Sequence, residues 1–130
     1  MFRVPKKTSV NKAPDPFRSD QVQSFASELV KFIKDRKKWK TYRYADNKYG
    51  KLKVGQIVGI KEYGQEIPFG KAIIKNISLT TFKDLPVTTE GHESYKDKDN
   101  QRKVFNGYYA FLGRSISDDD KFLIFEFELI

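Results

Sequence analysis

The chain has 130 residues, a length that suits one domain with a substantial core, and 25 Lys and Arg against 17 Asp and Glu give a formal net charge of +8. The absence of cysteine and the single histidine exclude disulfides, thiolate metal sites, a cysteine nucleophile and a histidine-rich metal site. We therefore expect no metal and no cofactor. No segment reaches the length of a membrane span and no apolar signal core opens the sequence, so we expect a soluble, cytoplasmic monomer without a membrane partner.

The positive charge is concentrated in the first half of the chain. Residues 1–53 hold fifteen Lys and Arg against five Asp and Glu, a net charge of +10, whereas residues 54–130 have a net charge of −2. Such asymmetry indicates a surface that binds a polyanion, and nucleic acid is the leading candidate. The alternative is a basic protein whose charge only keeps it soluble.

The first element in chain order is a basic, proline-bearing arm over residues 1–18, followed by a single domain over residues 19–130. A helix is predicted to begin at Ser19 or Asp20, either of which can accept hydrogen bonds from the first free backbone amides. Its apolar stripe recurs at helical spacing and faces the core: Val22, Phe25, Ala26, Leu29, Phe32 and Ile33.

Strands follow the helix, because the apolar period changes from helical spacing to two. We predict strands over residues 55–60, 71–77 and 121–130, with one more short strand over residues 40–44. In the last strand the phenylalanines point one way and the glutamates the other. A short helix that carries Val104, Tyr108, Phe111 and Leu112 and ends at Gly113 precedes it, and residues 96–103 are either the start of that helix or the loop before it. The fold class is therefore α+β, a small curved sheet or β-barrel with flanking helices.

The segment that carries most chemistry runs from residue 37 to residue 44, where cations, aromatic rings and a hydroxyl lie side by side. Cations neutralise phosphates and aromatic faces stack bases, so this segment predicts a nucleic-acid-binding site, for RNA or another single strand. On a strand, alternate side chains face opposite ways, which divides the set unless a bulge changes the phase. The predicted binding residues are Lys37, Lys38, Trp39, Lys40, Thr41, Arg43 and Tyr44.

Several stretches, taken in order, resemble the ASCH domain, a member of the PUA-like superfamily. The resemblance covers residues 25–130 and rests on the Lys-Lys-x-Lys-Thr-x-Arg stretch that begins at Lys37 and on the Val-Gly-Gln-Ile-Val strand that begins at Val54. It also includes a glycine-opened strand at Gly70, a Glu-Gly-x-x-Ser stretch at Glu90 and a Phe-Glu-Phe-Glu-Leu ending.

The resemblance implies a small β-barrel flanked by helices and a cleft between the Lys-Thr-x-Arg segment and the Glu-Gly loop. Members of the superfamily bind RNA or modified bases, and some ASCH proteins resemble amidohydrolases that act on acetylated cytidine or have an attributed nuclease activity. The amidohydrolase pattern combines a lysine, a threonine three residues later and a glutamate. Lys40 and Glu90 match its lysine and glutamate, whereas the threonine position falls on Arg43 and departs from the pattern.

Three further side chains complete the predicted cleft. His92 lies in the Glu-Gly loop, Ser94 is expected to cap the next helix or turn, and the Tyr109 hydroxyl is a candidate to face the cleft. For His92 the alternative is a hydrogen-bonded loop residue, and for the pair of Lys40 and Glu90 it is an ion pair that orders the loop.

Three functions follow from the sequence and stay open. The first is a nucleic-acid-binding module, the second is a hydrolase acting on a modified nucleoside or on RNA, and the third is a protein-interaction module whose basic face docks an acidic protein partner.

Overall fold

The computed structural model describes residues 22–46 and 49–130. Within these residues the sheet has five strands: β1 (Val22–Phe25), β2 (Lys40–Tyr44), β3 (Ile57–Glu62), β4 (Gly70–Thr81) and β5 (Lys121–Leu129). Helix α1 (Ser27–Lys34) follows β1, and helix α2 (Lys98–Tyr108) precedes β5. The spatial order is β1-β3-β4-β5-β2, with β1 parallel to β3 and the other neighbours antiparallel. The α+β class is confirmed, while the predicted arm over residues 1–18 lies outside the described residues.

The first helix begins later than its apolar spacing predicts. Val22 to Phe25 form strand β1, paired in parallel with β3 through the partners Val22 and Gly59, and α1 starts only at Ser27. The proposed start at Ser19 or Asp20 is therefore wrong, and both residues lie outside the described part of the chain. Pairing with a strand more than thirty residues away outweighs the local helical pattern, as tertiary context often does.

Each face of the sheet carries its own core. On one face α1 contributes Ile33 to a cluster that also contains Phe125 and Phe127 of β5. On the other face α2 contributes Phe105, which packs against Phe82 and Phe122. The alternation predicted for β5 is confirmed, since the two inward phenylalanines are buried and Glu128 is exposed.

The sheet curves until its two edge strands approach each other. The Arg43 guanidinium, on β2, donates a hydrogen bond of 3.0 Å from Nη2 to the carbonyl oxygen of Ser24, on β1. A β-bulge in β4 between Ile74 and Asn76 interrupts the ladder with β5, and such bulges bend a strand. A cleft therefore opens between the two edges rather than on an open face.

Helix α2 begins with a side-chain cap that differs from the predicted one. Asp97 accepts a 2.8 Å hydrogen bond from the backbone N–H of Asn100, whereas Ser94 is exposed three residues earlier. The prediction that Ser94 caps this helix is therefore wrong. A carboxylate at the first turn also interacts favourably with the helix dipole.

None of the helices in the described residues is both long enough and apolar enough to cross a membrane.

Candidate functional site

A cavity of about 730 Å³ lies between the edge strands β1 and β2. Strand β1 and the first turn of α1 form one wall, and the end of α2 with the segment after it forms the other. Residues of β2 and of the loop before α2 complete the lining. A cavity of this volume is in the usual range for small-ligand sites. The residues on which the site depends are Lys38, Thr41, Tyr42, Arg43, His92, Glu93, Tyr95, Phe105, Tyr108 and Tyr109.

A buried ion pair forms the polar centre of the cavity. The Lys38 side chain is only 4% exposed, and its Nζ lies 2.7 Å from Glu93 Oε1 and 2.6 Å from the carbonyl oxygen of Lys40. Glu93 is 30% exposed, so its carboxylate remains accessible from the cavity. A charge held in this way costs free energy to bury unless its partner and hydrogen bonds compensate, so the geometry of the pair is tightly determined.

Both members of the pair have pKa values below their ordinary ones, for different reasons. Burial lowers the pKa of the Lys38 amine, an effect that the charge of Glu93 opposes and that of Arg43 reinforces. Burial would raise the pKa of the Glu93 carboxyl, but the charges of Lys38 and His92 and the Lys38 hydrogen bond together lower it. The site thus keeps a carboxylate beside an amine that releases its proton more readily than a surface lysine.

His92 is fixed as a neutral ring with a defined tautomer. Its side chain is 4% exposed and stacks on the Tyr42 ring, with centroids 3.9 Å apart and planes 11° from parallel. Nδ1 lies 2.8 Å from the carbonyl oxygen of Glu93, and because a carbonyl only accepts, Nδ1 carries the proton. Burial, with a further contribution from the charge of Lys38, lowers the pKa of His92 to about 4. His92 is therefore uncharged in the site at neutral pH.

Thr41 is held by Arg43 at the edge of the cavity. Arg43 Nε donates a 3.0 Å hydrogen bond to Thr41 Oγ1, while the guanidinium lies 4.7 Å above the Phe25 ring. Since Thr41 Oγ1 accepts from Arg43, its own proton points away from the guanidinium and can pass to a base. Because Arg43 donates hydrogen bonds to Thr41 and to Ser24, its guanidinium is already bonded to groups of the protein.

The predicted pair of Lys40 and Glu90 is not formed. Lys40 Nζ donates to Thr89 Oγ1 at 3.1 Å, and Glu90 is exposed; no ion pair joins the two among the described residues. Neither residue lines the cavity, and the same holds for exposed Lys37 and Ser94. The chain turns at Gly91, which has φ 85°, so the carboxylate that reaches the buried lysine comes from Glu93.

Of the predicted aromatic residues, Tyr109 lines the cavity, whereas Trp39 and Tyr44 lie elsewhere. Trp39 packs against Gly91, where an added Cβ would lie 2.4 Å from indole Cε2. Tyr44 packs edge-on against Phe122, and its backbone N–H donates to the Tyr109 hydroxyl at 3.1 Å. The Tyr109 hydroxyl thus accepts a bond from the backbone of β2.

Strand alternation does not divide the segment as expected. Thr41, Tyr42 and Arg43 all line the cavity, although Tyr42 also belongs to the core under α2. The reason is that β2 is an edge strand, with β5 on one side and the cavity on the other, so side chains from both faces border the opening.

Sequence reasoning missed Glu93 and the aromatic residues Tyr63, Tyr95, Tyr108 and Phe111, all of which line the cavity. The sequence did contain one signal for Lys38, the lysine that pairs with Glu93. Thr41 follows Lys38 by three residues, which is the spacing of the amidohydrolase pattern. A shift of two residues, from Lys40 to Lys38, brings lysine, threonine and glutamate into one site. In the described residues no group of three or more His, Asp or Glu side chains could hold a metal ion.

The fold, but not the sequence, is similar to known proteins. No family model matches the chain, and no curated protein matches it in sequence. Among solved structures, the ASCH domain of Lactobacillus crispatus JV V101 is 15% identical with a TM-score of 0.60, covering 83% of this chain and 77% of that one.

Two further structures have the same architecture. An Enterococcus faecalis V583 protein of the family DUF984 is 17% identical with a TM-score of 0.66, covering 99% of this chain and 83% of that one. A variant of the ASCH protein of Zymomonas mobilis is 18% identical with a TM-score of 0.55, covering 82% and 66% respectively. The chain therefore has the fold of the ASCH domain.

Proposed function

We propose that the protein is an amidohydrolase that removes an acyl group from the exocyclic amine of a nucleobase, as in an acetylated cytidine. The observation that carries the proposal is that Lys38, Thr41 and Glu93 line one cavity, with the lysine and threonine three residues apart. Thr41 is the nucleophile, Lys38 the base that activates it, and Glu93 the group that holds and orients Lys38.

The chemistry follows from the order in which the proton moves. The Thr41 oxygen attacks the amide carbonyl carbon while its proton passes to Lys38 Nζ, which must first have released its own proton to solvent. The C–N bond breaks, the nucleobase amine leaves with that proton, and the acyl group stays on Thr41 as an ester. Water then hydrolyses the ester, releases the carboxylic acid and restores the hydroxyl.

The lowered pKa of Lys38 supports this role, because a base must lose its proton near the operating pH. In the structure Lys38 Nζ bonds Glu93 and the Lys40 carbonyl rather than Thr41. The reaction therefore requires the amine to turn toward Thr41 once a ligand fills the cavity. Catalytic hydrogen bonds commonly tighten only in the ligand complex.

The walls of the cavity suit a flat, uncharged ring. Tyr95, Phe105 and Tyr108 supply aromatic surface around the polar centre. The stacked rings of Tyr42 and His92 add a further flat surface to the lining. Planar apolar walls with a few fixed polar groups are typical of sites that bind small heterocycles.

The experiment compares turnover of acetylated cytidine by chromatography for the unmodified protein and matched variants. Thr41→Val removes the hydroxyl at nearly constant shape and is expected to lower kcat at least about 100-fold. Glu93→Gln is expected to lower kcat similarly, whereas Glu90→Gln removes an exposed carboxylate outside the cavity and leaves turnover unchanged. Equal losses in the two glutamine variants, or no turnover by the unmodified protein, would refute the proposal.

A second candidate function is binding of RNA or another single strand without chemistry. It is favoured by the net charge of +8 and by four exposed cations at and after the end of α1, namely Lys31, Lys34, Arg36 and Lys37. Anisotropy of labelled single-stranded RNA over a salt titration tests it: binding must weaken steeply as salt rises, and salt-insensitive binding contradicts it. The protein-interaction module remains a prediction.

A further inference from the structure

A second depression, of about 350 Å³, shares Lys38 with the cavity. Because Lys38 lines both, the two are neighbours. We call it the basic groove and define it by Arg36, Trp39 and Lys75, with an apolar floor from Ile33, Phe127 and Leu129 and with Glu128 at its side.

Two cations of the basic groove, Arg36 and Lys75, face solvent. Arg36 is exposed, with a weak 3.3 Å hydrogen bond from Nη1 to the Leu129 carbonyl oxygen. Lys75 is 58% exposed and its 3.8 Å pair with Glu128, itself 61% exposed, contributes little stability. Lys37, directly after Arg36, is also exposed. An incoming phosphate can therefore bind these side chains without breaking a strong contact.

The groove also presents the single tryptophan of the chain. Trp39 lies against Gly91, borders the groove and remains partly exposed. Lys40 Nζ lies 5.1 Å from the indole centroid, so a cation already accompanies the ring. An aromatic ring beside cations is the arrangement by which proteins bind single strands, with the ring stacking a base and the cations binding the backbone.

The mouth of the cavity has the opposite character. Glu28 and Asp46, both exposed, lie among its lining residues, and its cations Lys38 and Arg43 already bond protein groups. A polyanion would meet two carboxylates there, whereas the groove offers exposed cations against one carboxylate.

We propose that the basic groove binds single-stranded nucleic acid, with phosphates on Arg36, Lys75 and Lys37 and with a base against Trp39. A single strand is the occupant because its unstacked bases can turn onto a ring, while a depression of about 350 Å³ is too small for a duplex. This assignment rests on the second candidate function and gives that function a location separate from the hydrolytic cavity.

The test uses the fluorescence of Trp39 together with anisotropy of a labelled single-stranded oligouridine. Binding is expected to quench the single tryptophan, and Arg36→Ala combined with Lys75→Ala is expected to weaken binding at least about tenfold and to flatten its dependence on salt. The matched control is Lys53→Ala combined with Lys121→Ala, which removes the same charge from exposed positions outside the groove and should change affinity less than about twofold.

The outcomes separate the site from the function. Binding with unchanged tryptophan fluorescence and equal losses in the two double variants would overturn the groove assignment and leave nucleic-acid binding intact. No binding to any single strand would overturn both, and turnover of acetylated cytidine would be unaffected by either result. Quenching without dependence on Arg36 and Lys75 would overturn the assigned phosphate contacts.

Discussion

The cavity and the basic groove use neighbouring residues of one basic segment in opposite ways. Lys38 is buried, is bonded to Glu93 and lines the cavity, whereas Lys37, one residue earlier, is exposed. In the cavity, Lys38 and Glu93 are paired with each other and both pKa values are lowered, which suits chemistry. In the groove, charges face solvent and suit attraction of an anion. Burial, rather than residue type, decides which role a lysine has.

The loop that begins at Gly91 joins the two regions. The Gly91 carbonyl oxygen accepts the backbone N–H groups of Trp39 and Lys40 at 2.8 and 3.0 Å, and the next two residues enter the cavity. One loop therefore supports the indole ring that borders the groove and positions His92 and Glu93 in the cavity. Changes in this loop should affect both regions together.

The largest effect is expected for Gly91→Ala. The residue has φ 85°, which favours glycine, and an added Cβ would lie 2.4 Å from Trp39 Cε2. Backbone strain and overpacking together should lower the free energy of unfolding by about 3–4 kcal/mol. Gly64→Ala is the control, because φ is 89° there but nothing lies within 4 Å; it should cost only about 1–2 kcal/mol. Urea unfolding measures both, and equal losses would show that contact with Trp39 adds nothing.

A smaller loss is expected when the buried lysine loses its charge. Lys38→Met leaves Glu93 without its ammonium partner and should lower the free energy of unfolding by about 2–3 kcal/mol. Lys37→Met, at the exposed neighbouring position, should change it by less than about 0.5 kcal/mol. Adding Glu93→Gln to Lys38→Met should restore part of the loss. Similar losses from both methionine variants would remove the distinction between the two regions.

The cavity should also make stability depend on pH. Because the pKa of His92 is lowered to about 4, the unfolded chain binds a proton near pH 6.5 before the folded chain does. The contribution of His92 to the free energy of unfolding is complete well above pH 6.5 and is lost as pH falls toward 4. The expected loss is about 2 kcal/mol between pH 7.5 and pH 5.

The measurement is urea unfolding at several pH values, with His92→Phe as the control. Phenylalanine keeps a flat ring against Tyr42 but does not titrate, so the dependence on pH over this window should become about 2 kcal/mol shallower. An unchanged slope would mean that another group produces the dependence.

Much of the fold could be predicted because its signals are local. The alternation along β5 and the strand at residues 40–44 appear where their patterns indicate. The prediction that the second helix ends at Gly113 is wrong, because α2 ends at Tyr108 and Gly113 follows a separate 3-10 turn over Ala110–Leu112. The start of α1 could not be predicted, since Val22 to Phe25 form a strand only because β3 lies beside them. A long-range parallel pairing leaves no mark on the spacing of those residues.

The site was predictable as a segment but not as a set of contacts. Residues 37–44 do supply its lysine, threonine and arginine, and the loop after Glu90 does supply its histidine and carboxylate. The choice of Glu93 over Glu90 depends on the turn at Gly91, and that of Lys38 over Lys40 depends on burial. Both follow from three-dimensional packing, so only the three-residue spacing to Thr41 could have indicated the register.

The smallest effect is expected for a carboxylate of the basic groove. Glu128→Gln removes the one carboxylate of the basic groove and releases Lys75, so affinity for single-stranded oligouridine at low salt should rise about two- to fivefold, with stability nearly unchanged. Glu126→Gln is the control, because that carboxylate lies outside the groove and accepts a bond from Asn76 at 3.3 Å. Anisotropy measures both variants. If the two gained equally, general charge rather than the groove would attract the strand, because only one of these carboxylates borders Arg36 and Lys75.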